Sequence, residues 1–194
     1  TSAETALAAV QVARAHGVIV SFDLNYRASL WSAHADPEAA RRFGREIARY
    51  VDVMIGDAWG FRQCLGLDVD PGADLDVAAE AYAREFPDVR IVAATRRRAE
   101  TAGRNDWAAA AWCDGSTVRS TARPGLEVLD RVGGGDGFVA GLAHALLDGR
   151  DLQAAVEWGA AHGALAMTTP GDAAMVDAAE VEALVAGTDA RSLR

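Results

Sequence analysis

The run Leu129-Asp130-Arg131-Val132-Gly133-Gly134-Gly135-Asp136-Gly137-Phe138 decides the reading of this chain, because three glycines and a carboxylate open a strongly helical segment. Glycine leaves the backbone N–H groups of residues 133–136 uncovered. The helix that starts there directs its partial positive end at the same point, so an anion such as a phosphate can approach without steric hindrance. Asp136 stands one residue beyond the glycines, placed to accept a proton from a hydroxyl that attacks the phosphate. A tight turn with Asp136 as a simple cap is the alternative that three glycines leave open.

Composition narrows the class. The chain has 194 residues, 51% apolar and 24% charged, enough for a substantial core and far from the profile of a disordered segment. No apolar run approaches the roughly 20 residues needed to span a bilayer, and no basic stretch leads into an apolar signal region, so a cytoplasmic location is expected. The formal net charge of −9 disfavours nucleic acid as the main partner. Arg96-Arg97-Arg98 is a local exception, read as lying at an anionic ligand or in solvent. Cys64 and Cys113 are too few for a disulfide framework, and His16, His34, His144 and His162 show no ligand spacing.

Outward from the glycines, residues 134–148, 151–167 and 177–186 read as three helices. Upstream, the pattern alternates. A helix over residues 3–15, with Ser2 as N-cap and Gly17 as stop, leads into a strand at 18–22; a helix from Pro37 to about Tyr50 leads into a strand at 51–55 and a further helix to about Leu65. An amphipathic segment at 74–86 leads into a strand at 89–94. Residues 107–112 and 116–120 flank Asp114-Gly115, a strong hairpin signal. Without repeat, low-complexity tract or linker, the chain reads as one α/β unit with a mostly parallel sheet, whose ligands are expected at the C-terminal strand ends.

The glycine run resembles the signature D-T-x-G-A-G-D-x-F of the ribokinase-like (PfkB) sugar kinases, matching it at Asp130, Gly133, Gly135, Asp136 and Phe138. The block Ser21-Phe22-Asp23-Leu24-Asn25-Tyr26-Arg27-Ala28-Ser29-Leu30-Trp31 is similar to the F-D-x-N-x-R-x-x-L-W stretch of the branch that phosphorylates 2-keto-3-deoxygluconate. Arg104-Asn105-Asp106-Trp107 and the run from Val156 to Asp172 resemble the same branch. The resemblance implies a three-layer ribokinase-like sandwich, its sheet flanked by helices. Residues 1–194 would then be the C-terminal portion of a single kinase domain, with the N-terminal part and its β lid missing.

The same resemblance implies roles. Asp136 would be the catalytic base, with the amides of Gly133, Gly134 and Gly135 as the anion hole. Asn25, Arg27, Asp136 and Asp172 would contact the sugar acid, and Arg27 has a planar fork suited to a carboxylate, although pairing with Asp23 is an alternative. Asn25, Thr95, Gly133, Gly135 and Ala160 would contact ATP. Asp57 is the candidate Mg²⁺ residue and Asp130 the candidate for a monovalent cation such as K⁺. Two departures accompany these matches. Asp57-Ala58-Trp59-Gly60 replaces the Asn-x-x-Glu of relatives, and Arg97 stands where many have glycine. The expected partners are a sugar acid and ATP, without nucleic acid or membrane, with homo-oligomerisation open. A kinase for another sugar, or an inactive binding fragment, is the competing expectation.

Overall fold

The computed structural model describes residues 2–31, 36, 38–101, 103–130, 132–171 and 174–187. Where the sequence reads as one α/β unit, the contacts divide it into two compact units: Thr1–Ala94 with Trp112–Thr117, and Thr95–Ala111 with Val118–Arg194. The strands β1 (Ser21–Asp23), β2 (Val53–Ile55), β3 (Ile91–Thr101), β4 (Arg104–Cys113) and β5 (Ser116–Arg119) form a mixed sheet in that order, with β6 (Arg123–Glu127) beside β4.

The first unit alternates helix and strand. Helix α1 (Ser2–Ala15) precedes β1 (Ser21–Asp23); short α2 (Ala28–Trp31) and α3 (Ala39–Ala48) precede β2 (Val53–Ile55); α4 (Ala58–Gly60) runs into a π-helical turn at Phe61–Leu65; and α5 (Leu75–Glu85) leads to β3 (Ile91–Thr101). β1, β2 and β3 pair in parallel, in the registers Asp23↔Ile55 and Ile55↔Ala93. The sheet and α5 enclose Met54, Val92, Phe61, Leu65 and Tyr82, all essentially without solvent contact. Burying each such side chain is worth about 1.5–3 kcal/mol. The rings of Phe61 and Phe86 flank Tyr82 at 5.0 and 4.9 Å.

β1 lies further along the chain than the apolar run at 18–22 suggests. Val18 and Ile19 are exposed. The buried carboxylate of Asp52 accepts the Val20 N–H at 2.9 Å and pairs with Arg14 at 3.3 Å and Arg90 at 3.5 Å. With the Val20 amide taken by a side chain, strand pairing begins only at Ser21.

The expected turn belongs to the first unit, where Asp114 (φ 47°) and Gly115 (φ 78°) take the left-handed pair that a tight hairpin needs; the strands that flank it, β4 (Arg104–Cys113) and β5 (Ser116–Arg119), run from that turn into the second unit. β6 (Arg123–Glu127) is a strand the sequence pattern misses. It pairs antiparallel with β4 across a register shift between Asn105 and Trp107. Helices α6 (Gly134–Leu147), α7 (Leu152–Met167) and α8 (Ala178–Val185) follow, each within two residues of its expected bounds. A capping box between Asp177 and Glu180 opens α8. Phe138, Leu142, Val156, Ala160 and Met167 form this unit's core.

Candidate active site

α6 starts at an unusual N-terminus. Gly133, its N-cap, is left-handed (φ 84°, ψ −10°), and no side chain caps the helix. Only glycine adopts that conformation without strain. The Gly137 N–H donates to the Gly133 carbonyl at 2.7 Å, closing the first turn. The N–H groups of residues 134–136 come before any carbonyl that could accept them in a helix. Gly135 and Asp136 are exposed, so donors, helix dipole and a carboxylate meet at one solvent-facing point.

The approach to this turn is held from below. The N–H groups of Leu129 and Asp130 donate to the Met167 carbonyl at the end of α7, at 2.9 and 3.3 Å. Asp130 Oδ1 accepts the Val132 N–H at 3.0 Å. Asp130 thus holds the start of the glycine run.

Glycines also set how closely α6 and α7 meet. A Cβ at Gly163 would lie 2.6 Å from the Gly134 carbonyl oxygen and 2.8 Å from Trp107 Cζ2; at Gly134 it would lie 2.8 Å from Met167 Cγ, and at Gly141 2.9 Å from Gly159 Cα. Trp107 Nε1 donates to the Ala160 carbonyl at 2.8 Å, locking the indole against α7. Ala160, expected beside the nucleotide, has no exposed surface, and its carbonyl accepts this indole N–H. Trp107 itself was legible only as part of a motif run. His162, left without a role by its spacing, places Nδ1 2.7 Å from the Gly137 carbonyl oxygen.

In the first unit, Asn25 and Asp57 each stand two residues beyond a parallel register pair, Asp23 and Ile55, at the C-terminal ends of β1 and β2. Asn25 is exposed and left-handed (φ 28°), its N–H donating to Asp23 Oδ1 at 3.0 Å. Arg27 is exposed on the same loop. Asp57 caps α4, its Oδ1 accepting the Gly60 N–H at 2.8 Å. Among the described residues no group of three His, Cys, Asp or Glu could hold a metal ion. Asp57 is an exposed lone carboxylate, a donor set that suits Mg²⁺ held largely by water and phosphate, not a protein cage. Burial, and secondarily the charge of Asp57, pushes the Cys64 thiol up to about 11.

Thr95 lies on β3, half-buried, two residues past Ala93 and assigned to the second unit; Arg96, Arg97 and Arg98 follow, exposed. Asp172 lies outside the described residues. No helix among the described residues is long and apolar enough to cross a membrane.

Comparison with known proteins gives the family. Residues 1–179 match the pfkB family carbohydrate kinase. The chain is 33% identical over 190 residues to a 2-dehydro-3-deoxygalactonokinase of Haloferax volcanii, covering 98% of this chain and 54% of that protein. It is 27% identical over 168 residues to a 5-dehydro-2-deoxygluconokinase of Geobacillus thermodenitrificans, covering 87% and 46%. The crystal structure of 2-dehydro-3-deoxygluconokinase from Thermotoga maritima superposes with a TM-score of 0.83 at 34% identity, covering 92% of this chain and 53% of that one. The chain therefore spans about half the length of the relatives it matches.

Proposed function

The chain belongs to the pfkB family of carbohydrate kinases, and from that premise we propose that the protein transfers the γ-phosphoryl group of ATP to the terminal hydroxyl of 2-keto-3-deoxygluconate. The observation that carries this reading is the uncapped α6 N-terminus, with the amides of residues 134–136 and the exposed Asp136 carboxylate at one turn. The sugar oxygen forms a bond to the γ-phosphorus as the bond to the β,γ-bridging oxygen breaks. ADP leaves, and Asp136 takes the hydroxyl proton. The amides of Gly133, Gly134 and Gly135 face the charge that develops on the transferred group. Such preorganised donors are worth about 2.7–4 kcal/mol each when removed singly from comparable sites.

Asn25, Thr95 and Asp172 are assigned to ligand recognition, and Arg27 to the substrate carboxylate, where a guanidinium fork makes a bidentate pair that a neutral sugar cannot. Asp57 would hold Mg²⁺ through water. When bound, that ion neutralises charge on the triphosphate. Asp130 would lie at a monovalent cation such as K⁺ and Ala160 beside the nucleotide, in addition to the contacts described above.

A second reading is supported by the relatives named 2-dehydro-3-deoxygalactonokinase and 5-dehydro-2-deoxygluconokinase: the acceptor is another keto-deoxy sugar acid. A coupled ADP-release assay separates them, run on the full-length protein with these three acids beside gluconate, fructose and ribose. Preference for 2-keto-3-deoxygluconate supports the first reading. Equal turnover of ribose or fructose overturns both, as does Arg27→Ala lowering kcat/KM for acids and neutral sugars alike.

A further inference from the structure

Asp136 can act as a base only if the first turn of α6 keeps its direction, and the structure shows what fixes that turn on each side. The peptide following Asp136 is held by the Gly137 N–H, which donates to the Gly133 carbonyl at 2.7 Å. The next peptide is held from outside the helix. His162, on α7, places Nδ1 2.7 Å from the Gly137 carbonyl oxygen. A carbonyl only accepts, so Nδ1 carries the proton and donates.

We propose that His162 is a positioning residue for the phosphoryl-transfer turn, donating across the α6–α7 interface to the Gly137 carbonyl and so fixing the peptide one residue beyond the one that follows Asp136. The proposal rests on the kinase reading above. A carbonyl has two lone pairs, so this bond adds to the helical one and does not compete with it. The surroundings restrict the alternatives. A Cβ at Gly137 would lie 3.1 Å from Ala166 Cβ and 3.2 Å from Gly163 Cα, and one at Gly141 would lie 2.9 Å from His162 Cβ. The helices are thus too close at this level for the imidazole to swing between them, and the ring is confined to the margin of the contact. There it lines a cavity of about 260 Å³ together with His144, Trp158 and Asp177.

That cavity dictates the choice of variants. His162→Ala would open a space in which water could donate to the Gly137 carbonyl in place of the imidazole. His162→Leu fills much of the ring's volume without a donor. His162→Asn is the conservative variant, because its amide nitrogen stands the same number of bonds from the backbone as Nδ1 does.

The test uses the full-length protein and two readouts. Amide hydrogen exchange is followed in peptides covering residues 134–140, with those covering α8 as control, and kcat and KM are measured with the preferred sugar acid. His162→Leu is expected to speed exchange in α6's first turns and lower kcat, each about 3- to 10-fold, the range that one net hydrogen bond spans. KM should stay within twofold, and α8 exchange should not change. His162→Asn should restore both quantities to within about twofold. Unchanged exchange at residues 134–140 in His162→Leu overturns the proposal, as does a kcat loss that His162→Asn fails to restore. If the parent phosphorylates no sugar, the kinase reading fails by itself, and with it the catalytic part of this proposal; the exchange arm still decides whether His162 fixes the turn.

Discussion

Replacing Gly163 by alanine should damage the protein where a helix-propensity argument alone predicts improvement. Alanine is favoured over glycine in a helix interior by about 1 kcal/mol, and Gly163 lies well inside α7. Against that gain stands the space available. The new methyl carbon would begin 2.6 Å from the Gly134 carbonyl oxygen, 2.8 Å from Trp107 Cζ2 and 3.2 Å from the Phe138 nitrogen. None of the three can yield easily. Two are backbone atoms of α6, and the indole is tethered to the Ala160 carbonyl. Overpacking costs about 1–3 kcal/mol, and contacts this short belong at the upper end. The net effect is about 2 kcal/mol of destabilisation, which for a chain of this size lowers Tm by about 4–8 °C. Gly135→Ala is the matched control, since a Cβ there meets nothing within 4 Å; its Tm should be unchanged or slightly raised. Differential scanning calorimetry of both variants in the same buffer decides the matter. A Gly163→Ala protein melting within about 1 °C of the parent, or above it, would refute the claim that glycine sets the α6–α7 distance.

Asp136→Asn keeps the shape of the side chain but cannot take a proton, so kcat should fall by about 10²- to 10⁴-fold with KM for ATP within several-fold; retention of more than about a tenth of the parental rate would assign the base elsewhere. Asp52→Ala strands the Val20 N–H that now donates to the carboxylate, and should cost about 1–3 kcal/mol in urea denaturation, with Asp52→Asn costing less because its amide oxygen still accepts; equal losses in the two variants would deny that bond its part. The Cys64 thiol, raised from 9.0 to about 11 mainly by burial, is harder to ionise folded than unfolded. Its contribution to stability is complete below about pH 9 and is lost as pH rises towards 11. Tm measured across that window should fall more steeply in the parent than in Cys64→Ala, and parallel curves would contradict the assignment.

The parts of the fold that the sequence makes legible are those where a local rule and the tertiary environment agree. Helices α6 to α8 are of this kind: apolar spacing marks all three, Asp151 and Asp177 cap α7 and α8, and left-handed Gly149 and Gly187 follow α6 and α8. So is the Asp114-Gly115 hairpin. β6 was hidden because Arg123-Pro124-Gly125 carries the residues of a turn. It forms nonetheless, beside a register shift in β4, with Gly125 left-handed (φ 64°) and its N–H donating to Asp106 Oδ1 at 2.9 Å. A side-chain acceptor thereby satisfies one strand amide, and proline at a bulge removes no ladder bond that the strand requires. The same competition between side chain and ladder displaced β1, where Asp52 claims the amide of Val20. Neither event has a local signature, because each depends on an aspartate brought in from a distant position.

The candidate site divides along the same line. Gly133, Gly135 and Asp136 could be read directly, since an open helix N-terminus beside a carboxylate is a property of consecutive residues. Ala160 and His162 could not. Residue spacing puts Ala160 where the family's nucleotide contact falls, yet Trp107, 53 positions earlier, takes its carbonyl, and the close approach permitted by Gly163 removes its methyl from solvent. His162 has the opposite history. Its spacing to the other histidines implies nothing, and its partner is a backbone carbonyl that no residue type betrays. Glycine at 134, 141, 159 and 163 is what converts both: by letting the helices meet at backbone distance, it buries the alanine and brings the imidazole within 2.7 Å of the turn that carries Asp136. The glycines of this chain thus act twice, once by opening the first turn of α6 at residues 133–135 and once by withholding the side chains that would keep α7 away from it.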